Sequence, residues 1–171
     1  MARRYEPRLE RAPSALTLVG IPVITIMLAS MAPILPIIST APVVPPLGLL
    51  MILSWRLLVR ELWPVWAALP LGLFDDLFSG QPFGSAAFSW TLMFLVIDQL
   101  DRKMMWRDYW QDWVIAAGLI VATLSINLWL ANMAGGGTSI LYILPQMLVS
   151  ILCLPLLLRI AAALDHFRWQ L

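Results

Sequence analysis

The chain has 171 residues, 61% of them apolar and only 12% charged, with a net charge of +1 and a mean hydropathy of +0.84. That composition excludes an ordinary soluble globule and offers no basic face for nucleic acid, so it reads as a single integral membrane domain, residues 1–171. One cysteine, Cys153, and one histidine, His166, leave no internal disulfide and no histidine metal site, and no cofactor is expected.

Apolar runs near 15–37, 44–59, 63–79, 83–100, 113–133 and 139–163 predict an all-α integral membrane protein with six transmembrane helices. The bundle then occupies 15–164, between a cytoplasmic N-terminal segment (1–14) and a cytoplasmic tail (165–171). The first run reads as a helix and not a signal peptide: it is too long, and "STAP" has a proline where cleavage would leave the new N-terminus. The second and third runs are short. Pro22, Pro33, Pro36, Pro145 and Pro155 interrupt the first and last, which predicts kinked or tilted helices.

Lys and Arg concentrate in cytoplasmic loops, and here the pattern is one-sided. Arg3, Arg4, Arg8 and Arg11 precede the first run; Arg56 and Arg60 follow the second; Arg102, Lys103 and Arg107 follow the fourth; Arg159 and Arg168 lie at the end of the sixth. The alternate loops "STAPVVPP", "SGQPFG" and "NMAGGGTS" carry no charge, so both termini are expected in the cytoplasm and those three turns outside. Of the acidic residues, only Asp75 and Asp76 fall away from the cytoplasmic side.

A rise of ~1.5 Å per residue from Trp63 puts this pair about 18 to 20 Å from the inner boundary. An ionised carboxylate in hydrocarbon costs at least ~2.5 kcal/mol, so each must be paired, protonated, snorkelling or facing a wet or protein-lined cavity. Asn127 and Gln146 reach a similar depth, and with Ser89 and Trp90 could line an outer-leaflet pocket. Three readings stand side by side. Asp76 and Ser79 accept amides in the turn from Gly80 to Gly84 while Asn127 and Gln146 bond between helices; or the group binds a ligand or lipid; or it meets a partner's transmembrane helix. On the first reading Asp76 serves Ser79 and Gly80, asparagine is tolerated in its place, and Asp75 is the more exposed and dispensable of the two. "GQPFG" is not a helix-packing motif, because Pro82 sits inside the turn.

In "DQLDRKMMWRDYWQDW", Trp106, Tyr109, Trp110 and Trp113 fall on one helical face, which predicts an interfacial amphipathic helix leading into the fifth span. Seven of nine tryptophans (55, 63, 66, 106, 110, 113 and 169) gather on this side, as in an aromatic belt; docking of a cytoplasmic partner is the sharper alternative. Catalysis is not expected: His166 is in the tail, no glycine-rich phosphate cradle is present, and adjacent aspartates are the wrong layout for a two-helix aspartyl protease. No internal repeat of the transporter kind is visible.

The order "RELWPVW", "LPLGLFDDLFSGQPFGSAAFSWTL", "LDRKMMWRDYWQDW" resembles the rod shape-determining protein MreD family from about Trp55 to Leu164. The most specific part is G-L-x-x-D-L-x-S-G-x-x-x-G, held here by Gly72, Leu73, Asp76, Leu77, Ser79, Gly80 and Gly84. Asp76 fits the acidic position of that pattern, whereas Asp75 stands as an addition. The resemblance implies a non-enzymatic inner-membrane component of the bacterial cell-elongation complex that binds the bitopic protein MreC, and through it peptidoglycan synthesis enzymes and MreB. It also implies a fold similar to the S component of energy-coupling-factor transporters, which keeps a small-molecule or lipid pocket as the alternative function. The first run, "TLVGIPVITIMLASMAP", lacks the small-residue motif that would couple an S component to a transport module. A homodimer is left open.

Overall fold

A computed structural model of the chain describes residues 15–34, 44–60, 62–103 and 109–168. Within them lie six α-helices and no strand: α1 (Ala15–Ser30), α2 (Leu47–Leu58), α3 (Ala68–Ser79), α4 (Ser85–Lys103), α5 (Tyr109–Met133) and α6 (Ile140–Arg168), with 3-10 turns at Ala32–Ile34 and Val65–Ala67. The N-terminal segment 1–14, the tail beyond Arg168, the stretch 35–43 and Trp106 lie outside the described residues, as does the side chain of Tyr109.

Helix lengths divide the elements into two kinds. At ~1.5 Å per residue, α5 and α6 extend about 37 and about 43 Å, and both are long and apolar enough to cross a membrane. By the same measure α2 and α3, at 12 residues each, reach only about 18 Å. Pro22 lies within α1, and Pro145 and Pro155 lie within an α6 that continues through both.

Contacts at the helix ends fix the arrangement. Arg56, late in α2, pairs with Asp101, late in α4, at 3.3 Å; Arg60 pairs with Asp112 in the first turn of α5 at 3.5 Å. Arg168, the last residue of α6, donates to the Leu18 carbonyl in the first turns of α1 at 2.9 Å. At the other end Gln146, early in α6, donates to the Val44 carbonyl just before α2 at 3.0 Å. Successive helices therefore run in alternating directions, with 80–84 and 134–139 turning at one end and all the described basic residues at the other.

The core is centred on α2, whose residues from Gly48 to Leu57 are all buried. A helix apolar on every side is stable only when surrounded, and α1, α5 and α6 pack around this one. On α6, Ile143, Met147, Ser150, Leu154 and Ala161 form the inward stripe, while Leu141, Leu148, Leu152 and Leu156 face outward. Outward apolar side chains also cover α1 (Ile24, Leu28), α4 (Phe88, Leu95) and α5 (Val114, Trp129), whereas Ser30, Ser54, Asp76, Ser89, Thr123, Asn127 and Ser150 are buried. Large apolar side chains thus cover the outer faces of these helices while several polar ones lie inside, unlike the usual distribution in a soluble domain.

Trp55 and Trp63 do not join an exposed aromatic belt. Both are buried, Trp55 completely, with its indole N–H donating to Thr25 Oγ1 at 3.0 Å and the Arg168 guanidinium 5.7 Å from its ring centre. Trp66 and Trp110 are exposed. Trp110 stacks on Trp113 at 5.3 Å, and Trp113 leans against the core.

Candidate functional site

The link between α3 and α4 is closely fitted, and glycine makes it so. A Cβ on Gly72 would lie 2.5 Å from Ala87 Cα and 2.7 Å from Ala87 N, so the two helix backbones touch at a point where no side chain fits. Gly80 ends α3 in the left-handed conformation (φ 66°), and Gly84 (φ 95°) precedes α4.

Asp76 turns back from α3 onto the start of α4. Its Oδ1 accepts from the Ala86 N–H at 2.9 Å and the Ser85 hydroxyl at 3.2 Å; its Oδ2 accepts from the Gly84 N–H at 2.9 Å and the Ala87 N–H at 3.3 Å. The Ser85 N–H donates to the Pro82 carbonyl at 3.0 Å. A helix begins with unpaired amides and a partial positive charge, and one buried carboxylate here answers both. The expected capping role therefore falls on different amides: those of Gly84, Ala86 and Ala87 and not those of Ser79 and Gly80. Ser79 does not share the role, since its hydroxyl is buried without a hydrogen bond.

Asp75 points elsewhere. It is half-buried and faces a cavity of about 270 Å³ enclosed by the ends of α1 and α3, the start of α2, and α4 to α6. Ser79, Trp90, Asn127 and Gln146 line the same cavity, while Asp76, Gly80 and Gly84 do not. Ser89 bonds within its own helix, to the Ala86 carbonyl at 3.3 Å. Sequence reading overlooked Ser30 and Gly48, both in the cavity wall. A Cβ on Gly48 would come 2.3 Å from Ser30 Oγ and 2.4 Å from Asp75 Oδ1, so this glycine leaves the two oxygens facing one another. Nothing in "MLASMAP" or "PPLGLL" marks these positions out. The side chains of Asn127 and Gln146 are not joined to one another: Gln146 reaches the Val44 carbonyl, and Asn127 Oδ1 is buried without a donor.

A second cavity, of about 430 Å³, lies near the charged end between α2, α5 and α6, against Leu57, Asp112, Trp113, Pro155 and Arg159. Among the described residues no three His, Cys, Asp or Glu side chains converge as metal ligands. Comparison of the chain with protein-family profiles, with characterised proteins and with solved structures gives no match.

Proposed function

We propose that the chain is a multi-pass membrane protein of the bacterial inner membrane, with both termini in the cytoplasm, serving as a non-enzymatic scaffold of the cell-elongation complex and binding an MreC-like bitopic partner. Peptidoglycan synthesis enzymes and MreB are then reached through that partner. The observation that carries this reading is the fit between the resemblance and the α3–α4 lock: Gly72, Asp76, Gly80 and Gly84, which hold the MreD-like pattern, are the residues that make the close approach, the cap and the two positive-φ turns. A pattern whose members each have a mechanical role fits a part built to present a rigid surface.

The membrane placement draws support from the apolar outer faces of α1, α4, α5 and α6 and from the gathering of basic residues at one end. The short α2 and α3 need not match the thickness of a bilayer where neighbouring helices shield them, and six crossings remain compatible with two half-length helices. A second reading, a small-molecule or lipid binder with an S-component-like pocket, is favoured by the cavity beside Asp75.

Solubilised in mild detergent and pulled down, the protein should recover an MreC-like bitopic partner, and its loss should disturb cell width without turnover of any compound. Cysteines at Ser39, Gln81 and Gly136 should react with an impermeant thiol reagent from outside, and one at Lys103 should not. Turnover of a lipid or peptidoglycan precursor by the purified protein would end the scaffold reading; the reverse labelling pattern would end the orientation.

A further inference from the structure

The cavity at the uncharged end gathers a carboxylate, an amide oxygen and two hydroxyls, not all of them satisfied. Ser30, 2% exposed, sets its hydroxyl against the Asp75 carboxylate, to which it donates, while Asn127 is 7% exposed and its Oδ1 is buried without a hydrogen-bond partner. The Ser79 hydroxyl is in the same condition. Asp75 supplies a carboxylate, with that of Asp76 next to it in the chain. No Lys or Arg is among the residues lining the cavity, and the described basic residues belong to the opposite end of the bundle. Buried polar atoms are normally satisfied, and two left open beside a carboxylate unpaired by any lining cation call for a donor that enters the space.

We propose that this cavity binds a small primary ammonium group, held by Asp75 with Asn127 Oδ1 and Ser30 Oγ as its further acceptors. An ammonium is compact and carries three N–H donors, which suits a carboxylate, an amide oxygen and a hydroxyl arranged about one point. An anion would find no cation there. The volume of about 270 Å³ equals about nine water molecules at ~30 Å³ each, room for an amine of a few carbons or for one lipid headgroup. Gly48 keeps the site open, because any side chain there would enter between Ser30 and Asp75. A free amine and an aminophospholipid headgroup share this chemistry. The inference develops the binding reading and holds whether or not the protein is a scaffold.

The test uses the full chain, in detergent and in nanodiscs. Ethanolamine should raise the melting temperature saturably, and ethylene glycol, its neutral analogue, should not. Asp75→Asn, which keeps the shape and removes the charge, should weaken ethanolamine binding at least about tenfold; Asn127→Leu, which removes one acceptor, gives a second route if the first variant folds poorly. In nanodiscs with equal phosphatidylethanolamine and phosphatidylglycerol, native mass spectrometry reads the lipid source: the wild type should retain phosphatidylethanolamine selectively and Asp75→Asn should not. An ethanolamine shift without lipid retention supports a free amine, and retention without a shift supports the headgroup. Absence of both, an equal effect of ethylene glycol, or wild-type binding by both variants overturns the proposal. Partner recovery is measured on the same preparations, so failure of amine binding and failure of the scaffold are read separately.

Discussion

Where α2, α4 and α6 finish, Arg56, Arg60, Arg102 and Arg168 each meet a carboxylate, at distances from 2.5 to 3.5 Å. Where α3 ends and α4 begins, two carboxylates stand with no Lys or Arg among the lining residues, one answered by backbone amides and the other facing a cavity. The first end balances charge with charge, between elements for Arg56–Asp101 and Arg60–Asp112 and within one helix for Arg102–Asp98 and Arg168–Asp165. The second balances it with the backbone itself, which fixes the geometry more tightly, because amides at a helix start cannot rotate away as a guanidinium can. An end of paired charges and an end where one carboxylate faces a cavity thus sit on one bundle.

The largest change should come from breaking the backbone arrangement. Asp76→Ala leaves the amide of Gly84 and the buried amides of Ala86 and Ala87 without their acceptor and should cost about 3–5 kcal/mol, read as a lower melting temperature in detergent and poor recovery of folded protein. Asp76→Asn should not be benign either. Both carboxylate oxygens accept a backbone N–H, so an amide nitrogen in either place opposes a donor, at about 1–3 kcal/mol.

Breaking the charged end comes next. Arg56 is buried, pairs with Asp101 and also donates to the Arg60 carbonyl, so Arg56→Ala should cost about 3 kcal/mol. A double-mutant cycle with Asp101→Asn measures how much belongs to the pair. Equal losses from Arg56→Ala in the presence and absence of Asp101 would show that packing over Phe94, whose ring centre lies 5.8 Å away, matters more than charge.

Gly80→Ala forces a side chain into φ 66° with open space around it, so the cost is conformational only, about 1 kcal/mol by thermal unfolding. The smallest effect belongs to Arg102→Ala. Its i,i+4 pair with Asp98 is exposed on the arginine side, worth about 0.3–0.5 kcal/mol and weakened by salt. A loss above about 1 kcal/mol there would blur the contrast between the two ends.

Much of this contrast was legible in the sequence, and the remainder was hidden for physical reasons. One-sided arginines and the glycines at 80 and 84 announced alternating helices and a tight turn, since charge placement and positive φ are local properties. Asp76 was recognisable as a cap, but its acceptors serve residues eight to eleven positions on, a reach that depends on the close packing at Gly72. Which helix is surrounded could not be read, because "LGLLMILSWRLL" is apolar apart from Ser54 and Arg56, and a core helix and a lipid-facing one share that signature. Trp55 and Trp63 looked like belt residues for the same reason. The cavity rests on Ser30 and Gly48, ordinary residues on two other helices that only tertiary packing brings to Asp75.

The last helix holds the first two at both of its ends: Gln146 on the Val44 carbonyl, 102 residues away in sequence, and Arg168 on the Leu18 carbonyl, 150 residues away. For a chain made from its N-terminus, this closure has a consequence in time. The α1–α2 hairpin is made before α6, yet α2 depends on α6 for much of its cover, so the bundle cannot shut until α6 has been synthesised. Until then α2 is an apolar helix only about 18 Å long awaiting its neighbour, and whatever receives the nascent chain must shelter it. A chain stopped before residue 140 should therefore leave α2 uncovered on its α6 side and be degraded, which pulse-chase of truncated forms would show.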